Sequence, residues 1–281
     1  MTTRSIEQVI KAITTSDGAG VKLFRSIGQQ QNLRLDPFLM LDEFSSMNAD
    51  DYIAGFPDHR GFETITYMLE GHMLHRDHLG NQGDLKSGGA QWMTAGQGII
   101  HSEMPQQTNG CLHGFQLWIN LPAQQKMQPA TYQDLQPEQI PTIKLSNGGT
   151  VKIIAGKTKI ENQSIAGPIQ SLSTQPLFLD IRLPADANFS LPIEPSHHAV
   201  VYPYQGQLDI EKQTLASQYA GLLSAGEQLV IQSGKQAVDF LLLTAKPLHE
   251  PIVQYGPFVM NTRDEIEQAI TDYRNGRLIS G

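Results

Sequence analysis

The chain has a single cysteine, Cys111, among its 281 residues, which excludes an intramolecular disulfide. It has no apolar run of membrane-spanning length, and residues 1–11 lack the apolar centre of a secretion signal. No cluster of Lys and Arg stands out against the formal net charge of −8, which argues against direct binding to nucleic acid or to an anionic membrane. We therefore expect a cytoplasmic protein in which Cys111 is a small buried apolar residue.

What the sequence does contain is typical of β structure. The 25 glycines and 16 prolines suit many short strands joined by tight turns. Runs rich in β-branched and aromatic residues, at 63–70, 90–94 and 114–120, are separated by glycine-rich turns. The pattern predicts an all-β sandwich or barrel.

The two halves of the chain resemble each other weakly. The stretch 67–71 is followed by Gly88, and the similar stretch 202–206 is followed by Gly226. Each half then has a last apolar strand that stops at a proline. Residues 123–145 are rich in Gln and Pro and are interpreted as a connector. The order of these features predicts a duplicated barrel with domains at 1–135 and 136–281.

The C-terminal end of the chain is different and predicts one short helix. Thr262 and Glu265 form a capping-box pattern, and Gly276 marks the end of the helix. The residues expected on its apolar face are Ile266, Ala269, Ile270 and Tyr273.

The first candidate for chemistry is the pair His101 and Glu103. Two residues apart on a strand, they share one face, and a buried carboxylate there needs a partner such as a divalent cation. The preceding turn, Gly96–Gly98, lets the backbone bend sharply. The alternative is an ordinary hydrogen-bonded pair.

His59 adds a second imidazole at the entrance of the strongest predicted strand. Two imidazoles and one carboxylate form the facial triad of non-haem Fe(II) sites, although a lone histidine in a loop is more often a surface residue. His72, His75 and His78 alternate with polar residues around a predicted hairpin, and we expect them to be solvated.

Motifs along nearly the whole chain resemble the pirin family, a group of two-domain cupins. A cupin pattern is recognised in the Gly-x-Gly-x-x-His sequence formed by Gly96, Gly98 and His101. The segments that carry the closer resemblance to pirins are Asp17–Val21, Leu35–Phe44, His59–Thr64, Gln91–Gly96, Gly98–Met104 and Tyr255–Thr262.

The resemblance implies an all-β fold of two jelly-roll-like cupin barrels in tandem with a short C-terminal helix. Residues 1–135 would form the cupin with the metal site, and residues 136–281 a degenerate, metal-free copy ending in the helix. The family binds one iron through three His and one Glu, and His59, His101 and Glu103 match three of these ligands.

The chain departs from the family at the fourth ligand. The family has His-Pro-His where this chain has Pro57, Asp58 and His59. Loss of two residues preserves strand-face parity, so we expect the fold to survive. Asp58 is a poor substitute because adjacent residues of a strand point apart. Three ligands with water in the vacated position, or weakened metal binding, remain as alternatives.

For function, the resemblance implies a quercetin 2,3-dioxygenase that uses O₂ and one Fe(II), with other divalent transition metals as alternatives. Glu103 would be the catalytic base for a flavonol-like substrate, and Phe62, Trp92 and Met93 are candidates for the apolar wall. The competing hypothesis is a non-enzymatic, redox-responsive regulator that acts through protein–protein contacts. A third is a cupin oxygenase with a different substrate. The resemblance also implies a monomer.

Overall fold

The computed structural model describes residues 2–16, 22–30, 33–46, 58–77, 80, 82–106, 111–170 and 172–278, and only the backbone of residues 22, 101, 103 and 105. The chain divides into two compact units. The N-terminal unit comprises Thr14–Arg25, Phe38–Pro137 and Leu248–Gly281, and the C-terminal unit comprises Met1–Ile13, Ser26–Pro37 and Glu138–Pro247. The expected all-β class is therefore realised as two units, whose main boundary is near the connector.

The N-terminal unit contains two antiparallel sheets and a terminal hairpin. The larger sheet has the spatial order β12 (Thr131–Leu135), β9 (Ala90–Thr94), β6 (Phe62–Glu70), β11 (Leu112–Asn120), β4 (Phe38–Ser46), β3 (Lys22–Arg25) and β2 (Ile13–Ser16). The smaller sheet has the order β5 (Asp58–His59), β10 (Ile99–Pro105), β7 (His72–Asp77) and β8 (Gln82–Lys86). The hairpin pairs β25 (Val253–Tyr255) with β26 (Phe258–Met260).

The C-terminal unit repeats this plan. Its larger sheet has the order β1 (Ile6–Lys11), β22 (Tyr219–Leu223), β19 (His198–Gln205), β24 (Val238–Ala245), β17 (Leu177–Leu183), β14 (Thr150–Ala155) and β13 (Thr142–Lys144). The smaller sheet has the order β18 (Asn188–Pro192), β23 (Gln228–Ser233), β20 (Gln207–Ile210) and β21 (Gln213–Ala216), and a separate hairpin pairs β15 (Lys157–Ile160) with β16 (Gln163–Ala166).

The two chain ends are exchanged between the units, which differs from the division at residue 135. Strand β1 lies at the edge of the C-terminal unit's sheet because Ile6–Lys11 pairs with β22. At the other end of the chain, the Arg60 N–H donates to the Pro257 carbonyl, and the Val259 N–H donates to the Arg60 carbonyl. These backbone bonds attach residues 248–278 to the N-terminal unit.

The predicted helix is confirmed as α1 (Arg263–Arg274). The Thr262 hydroxyl accepts the Glu265 N–H, and the Glu265 carboxylate accepts the Thr262 N–H, which completes the capping box. Gly276, at φ +65°, follows the helix. Among the described residues, no helix is both long and apolar enough to cross a membrane.

Candidate metal centre

The two sheets of the N-terminal unit face each other across a shared interior. Met68 of β6 and Met73 of β7 belong to one buried apolar cluster, so these faces of the two strands are interior. Because side chains alternate along a strand, Thr64 and Thr66 share the interior face of β6, and His75 shares that of β7. All three are buried, with exposed fractions of 3% or less.

Strand β10 lies between β5 and β7, and its backbone register relates the positions of the predicted ligands. Ile99 lies directly opposite His59, and Glu103 lies directly opposite His75. Opposite residues of an antiparallel pair share a face, as do alternate residues along one strand. Positions 59, 75, 101 and 103 are therefore on one face, although the side chains of His101 and Glu103 lie outside the described part of the structure.

His59 is a buried imidazole in an aromatic environment. Its ring packs edge-on against Phe62 and Trp118, with centroid distances of 5.2 Å in both cases. Burial lowers the pKa of His59 to about 3, so the ring is neutral at physiological pH. A neutral imidazole is the form that binds a transition metal.

His75 was expected to be solvated, and that prediction is wrong. Only 2% of the residue is exposed, and its ring lies 5.4 Å from the ring of Tyr132. Burial lowers its pKa, which the charges of Asp134 and Asp77 oppose. Because side chains alternate along β7, the sequence already places His75 and His72 on opposite faces. The sequence does not show the pairing of β7 with β10, which makes the face of His75 interior.

Asp58 lies on the face of β5 opposite to His59, because it pairs with Ile100. Burial raises the pKa of its carboxyl, and a hydrogen bond from the Tyr273 hydroxyl opposes that rise. Asp58 therefore contacts α1 and lies on the side of β5 away from His59.

Glu63 is also on the other side of the sheet from the interior. It lies directly opposite Thr94, whose hydroxyl donates to its Oε1 at 2.9 Å. Burial raises the pKa of Glu63 to about 7, against that hydrogen bond. Of the proposed wall residues, Trp92 shares this outer face because it pairs with Ile65.

The other two proposed wall residues do lie on the interior face. Phe62 alternates with Thr64 along β6, and Met93 lies directly opposite Thr64. Trp118, which the sequence interpretation omitted, also lies opposite Thr64 and packs on Phe62 at 4.2 Å between ring centroids.

The interiors of the two units differ in polarity. In the N-terminal unit, buried His59, Thr64, Thr66, His75 and Gln91 separate several small apolar clusters. The corresponding core of the C-terminal unit is one large cluster of aliphatic and phenylalanine side chains. Burying a polar group costs free energy unless it has a hydrogen-bond partner or binds a metal. The more polar interior of the N-terminal unit is therefore the candidate site.

The donor types in the N-terminal interior fit a divalent transition metal. Imidazoles and one carboxylate on a single face are the ligands of the facial triad, and the neutral state of His59 leaves a lone pair for a metal. Among the side chains that the structure describes, which exclude those of positions 101 and 103, no three from His, Cys, Asp and Glu come close enough together to hold a metal ion.

Two antiparallel units of this plan define the class of two-domain cupins. The family model Pirin matches residues 20–119, and the model of the Pirin C-terminal cupin domain matches residues 178–279. A Pseudomonas aeruginosa protein named "Putative quercetin 2,3-dioxygenase" is 50% identical over 268 residues, which cover 94% of each chain. The chain belongs to the pirin family, as its motifs predicted.

Solved structures agree with this fold. The chain is similar to the crystal structure of a quercetin 2,3-dioxygenase from Acinetobacter baumannii, with a TM-score of 0.89 and 30% identity over 99% of both chains. It also shares its fold with a bacterial pirin from Escherichia coli in complex with nickel(II), with a TM-score of 0.65 and 17% identity over 85% of this chain and 98% of that one.

Proposed function

We propose that this chain is a metal-dependent dioxygenase that opens the heterocyclic ring of a quercetin-type flavonol with O₂ and releases carbon monoxide. The names of a relative at 50% identity and of a structure at a TM-score of 0.89 support the reaction. The observation on this chain that carries the proposal is His59, a buried neutral imidazole on the face that also carries positions 101 and 103.

His59, His101 and Glu103 would hold the metal. Fe(II) suits two imidazoles and a carboxylate, and other divalent transition metals bind similar donors, as the nickel(II) complex of the Escherichia coli pirin illustrates. When bound, the ion acts as a Lewis acid that acidifies a hydroxyl group of the substrate.

The remaining roles follow from protonation and polarity. The depressed pKa of His59 makes its ring a poor proton acceptor, so Glu103 is the group assigned to take the proton of the flavonol 3-hydroxyl. Phe62 and Met93 would contact the apolar rings of the substrate and exclude water from them. Trp118 would support Phe62 from behind, because the two rings are in contact.

A second candidate is a regulator without catalytic activity. It is favoured by the loss of one family histidine and by the position of Asp58, which faces α1 and leaves that ligand unreplaced. Such a protein would act through protein–protein contacts with weakened or absent metal.

Metal content after anaerobic reconstitution with Fe(II) tests the proposal. The wild-type chain should bind close to one equivalent, and His101→Ala should bind almost none. His72→Ala is the matched control, because His72 is half-exposed on the opposite face of β7, where its imidazole contacts Asp84. The control should bind as the wild type does.

Loaded protein is then tested for oxygen uptake that depends on quercetin. Uptake that disappears in His101→Ala supports the dioxygenase. Stoichiometric iron without uptake would exclude the flavonol and leave an oxygenase of other specificity or the regulator. No iron in any of the three proteins would exclude the iron-dependent enzyme.

A further inference from the structure

Arg60 is a buried cation that follows His59 directly in the chain. Its guanidinium donates to three acceptors: the Gln97 carbonyl, the Asp272 carboxylate at 2.8 Å and the Leu278 carbonyl at 3.4 Å. Only 4% of its side chain is exposed, and 16% of that of Asp272. A buried charge requires such a set of partners, so this geometry is strongly specified.

The three acceptors come from different parts of the candidate metal centre and its surroundings. Gln97 belongs to the turn that leads into β10, the strand of His101 and Glu103. Asp272 and Leu278 belong to α1 and the residues after it. The Arg60 guanidinium therefore links the segment of His59 to the turn before β10. It also hydrogen-bonds both to α1 and to the residues that follow it, which belong to the C-terminal segment, residues 248–278.

The backbones of these segments also approach closely. Gly61, at φ +89°, has no room for a Cβ, which would lie 2.0 Å from the Val259 carbonyl oxygen. Gly98, at φ +155°, is similarly restricted, because its Cβ would lie 2.4 Å from the Leu278 carbonyl oxygen. The C-terminal segment thus packs directly against the residues that flank both ligand-bearing strands.

The ion pair is not the only contact that holds α1. An apolar cluster attaches the helix and its hairpin, and it consists of Phe258, Met260, Ile266, Ala269 and Leu278. Removal of the Asp272 charge should therefore leave α1 in place while it frees the guanidinium to move. A variant without the Asp272 charge can therefore change metal affinity while the fold stays intact.

We propose that Arg60 is a positioning residue that, held by Asp272, sets the spacing between His59 and the strand of His101 and Glu103. The inference rests on the proposed metal site. Groups that orient metal ligands typically change metal affinity by about 10- to 100-fold when they are removed. The C-terminal helix is then part of the metal centre, although it contributes no ligand.

The test measures Co(II) affinity by competition with a chelator and records the ligand-field spectrum, with thermal unfolding of each apoprotein. Asp272→Asn should bind about 10- to 100-fold more weakly with a changed spectrum. Asp272→Glu, which restores the charge, should recover part of the affinity. Asp264→Asn is the control, because Asp264 is exposed in the first turn of the same helix.

Arg60→Lys provides a second variant in case Asp272→Asn folds poorly. Lysine keeps the charge but lacks the planar fork that reaches several acceptors at once, so it should also weaken Co(II) binding. Wild-type affinity and spectrum in folded Asp272→Asn or in Arg60→Lys would overturn the inference and leave the proposed function intact. Failure of the wild type to bind Co(II) would overturn both.

Discussion

Two buried titratable residues of the N-terminal unit, His59 of β5 and Glu63 of β6, should respond to pH in opposite ways. Glu63 has a raised pKa and His59 a lowered one, and burial is the main cause in both cases. Burial favours the neutral form of each side chain. The neutral form predominates at low pH for the Glu63 carboxyl and at high pH for the His59 imidazole.

Glu63→Gln should stabilise the protein above neutral pH. A pKa of about 7 in the folded state, against 4.5 for the free residue, means that stability falls as the pH rises from about 4.5 to about 7. The gain in the free energy of unfolding should be about 3 kcal/mol at pH 8 and below about 1 kcal/mol at pH 5. Urea denaturation at both pH values measures it, with the exposed Glu267→Gln as control. An equal gain at both pH values would contradict the raised pKa.

His59→Leu should make the apoprotein less sensitive to acid. The folded pKa of about 3 lies below the ordinary value of 6.5, so the contribution of His59 to stability is present above pH 6.5 and is lost as the pH falls toward 3. Between pH 7 and pH 4 the wild type should lose about 3 kcal/mol more than the variant. Urea unfolding of both apoproteins gives this difference directly. Parallel pH dependence would show that His59 has the same pKa in the folded and unfolded states, which contradicts the lowered value.

At the scale of elements, strands with an alternating pattern and clear turn signals were predictable. The structure has Ala90–Thr94 as a strand with the predicted limits, and the run at 63–70 is extended by one residue to Phe62–Glu70. The apolar run at 35–44 is too short for a helix and is interrupted by Asp36 and Pro37, so the sequence predicts no clear secondary structure there, and the structure has Phe38–Ser46 as β4. In the structure the Asp42 carboxylate is buried and accepts two hydrogen bonds from Arg25, at 2.8 and 2.7 Å.

The connector illustrates a different cause of failure. Residues 123–145 contain β12, an edge strand that pairs with β9, and also β13. Thr131–Leu135 has few apolar residues because it lies at the edge, where one side of the strand needs no partner. Composition alone does not distinguish such a strand from a loop.

Gly61→Ala should disturb the start of β6 more than its backbone angle alone explains. At φ +89° any side chain is strained, and here a Cβ would also collide with the Val259 carbonyl oxygen. Gly80→Ala is the matched control, since Gly80 has φ +83° and open space around it. The control should lose about 1 kcal/mol of stability, and Gly61→Ala several times more. Equal losses of unfolding free energy in chemical denaturation would show that the contact with the Val259 carbonyl does not add to the cost.

For the whole molecule, the sequence indicated candidate ligands but not the contacts that surround them. The spacing of His101 and Glu103 predicted that these two positions share a face, whereas the face of His59 came from the register of β5 and β10. The burial of His75 and the role of Arg60 depend on contacts between segments distant in sequence, at separations of 28 residues for His75 and Glu103 and of 212 for Arg60 and Asp272. No local pattern encodes such pairs, so they required the structure.

The difference in polarity between the two units leads to a final prediction. Leu242 is fully buried in the apolar cluster of the C-terminal unit, and Phe62 contacts His59 in the N-terminal unit. Leu242→Ala should lower the free energy of unfolding by about 2–5 kcal/mol, because it leaves a cavity, and Phe62→Ala by about 3–5 kcal/mol. Only Phe62→Ala should also weaken Co(II) binding, since only its ring supports a candidate ligand. Titration of both folded variants measures this. Equal metal loss would mean that the site depends on the stability of the chain as a whole and not on its own interior.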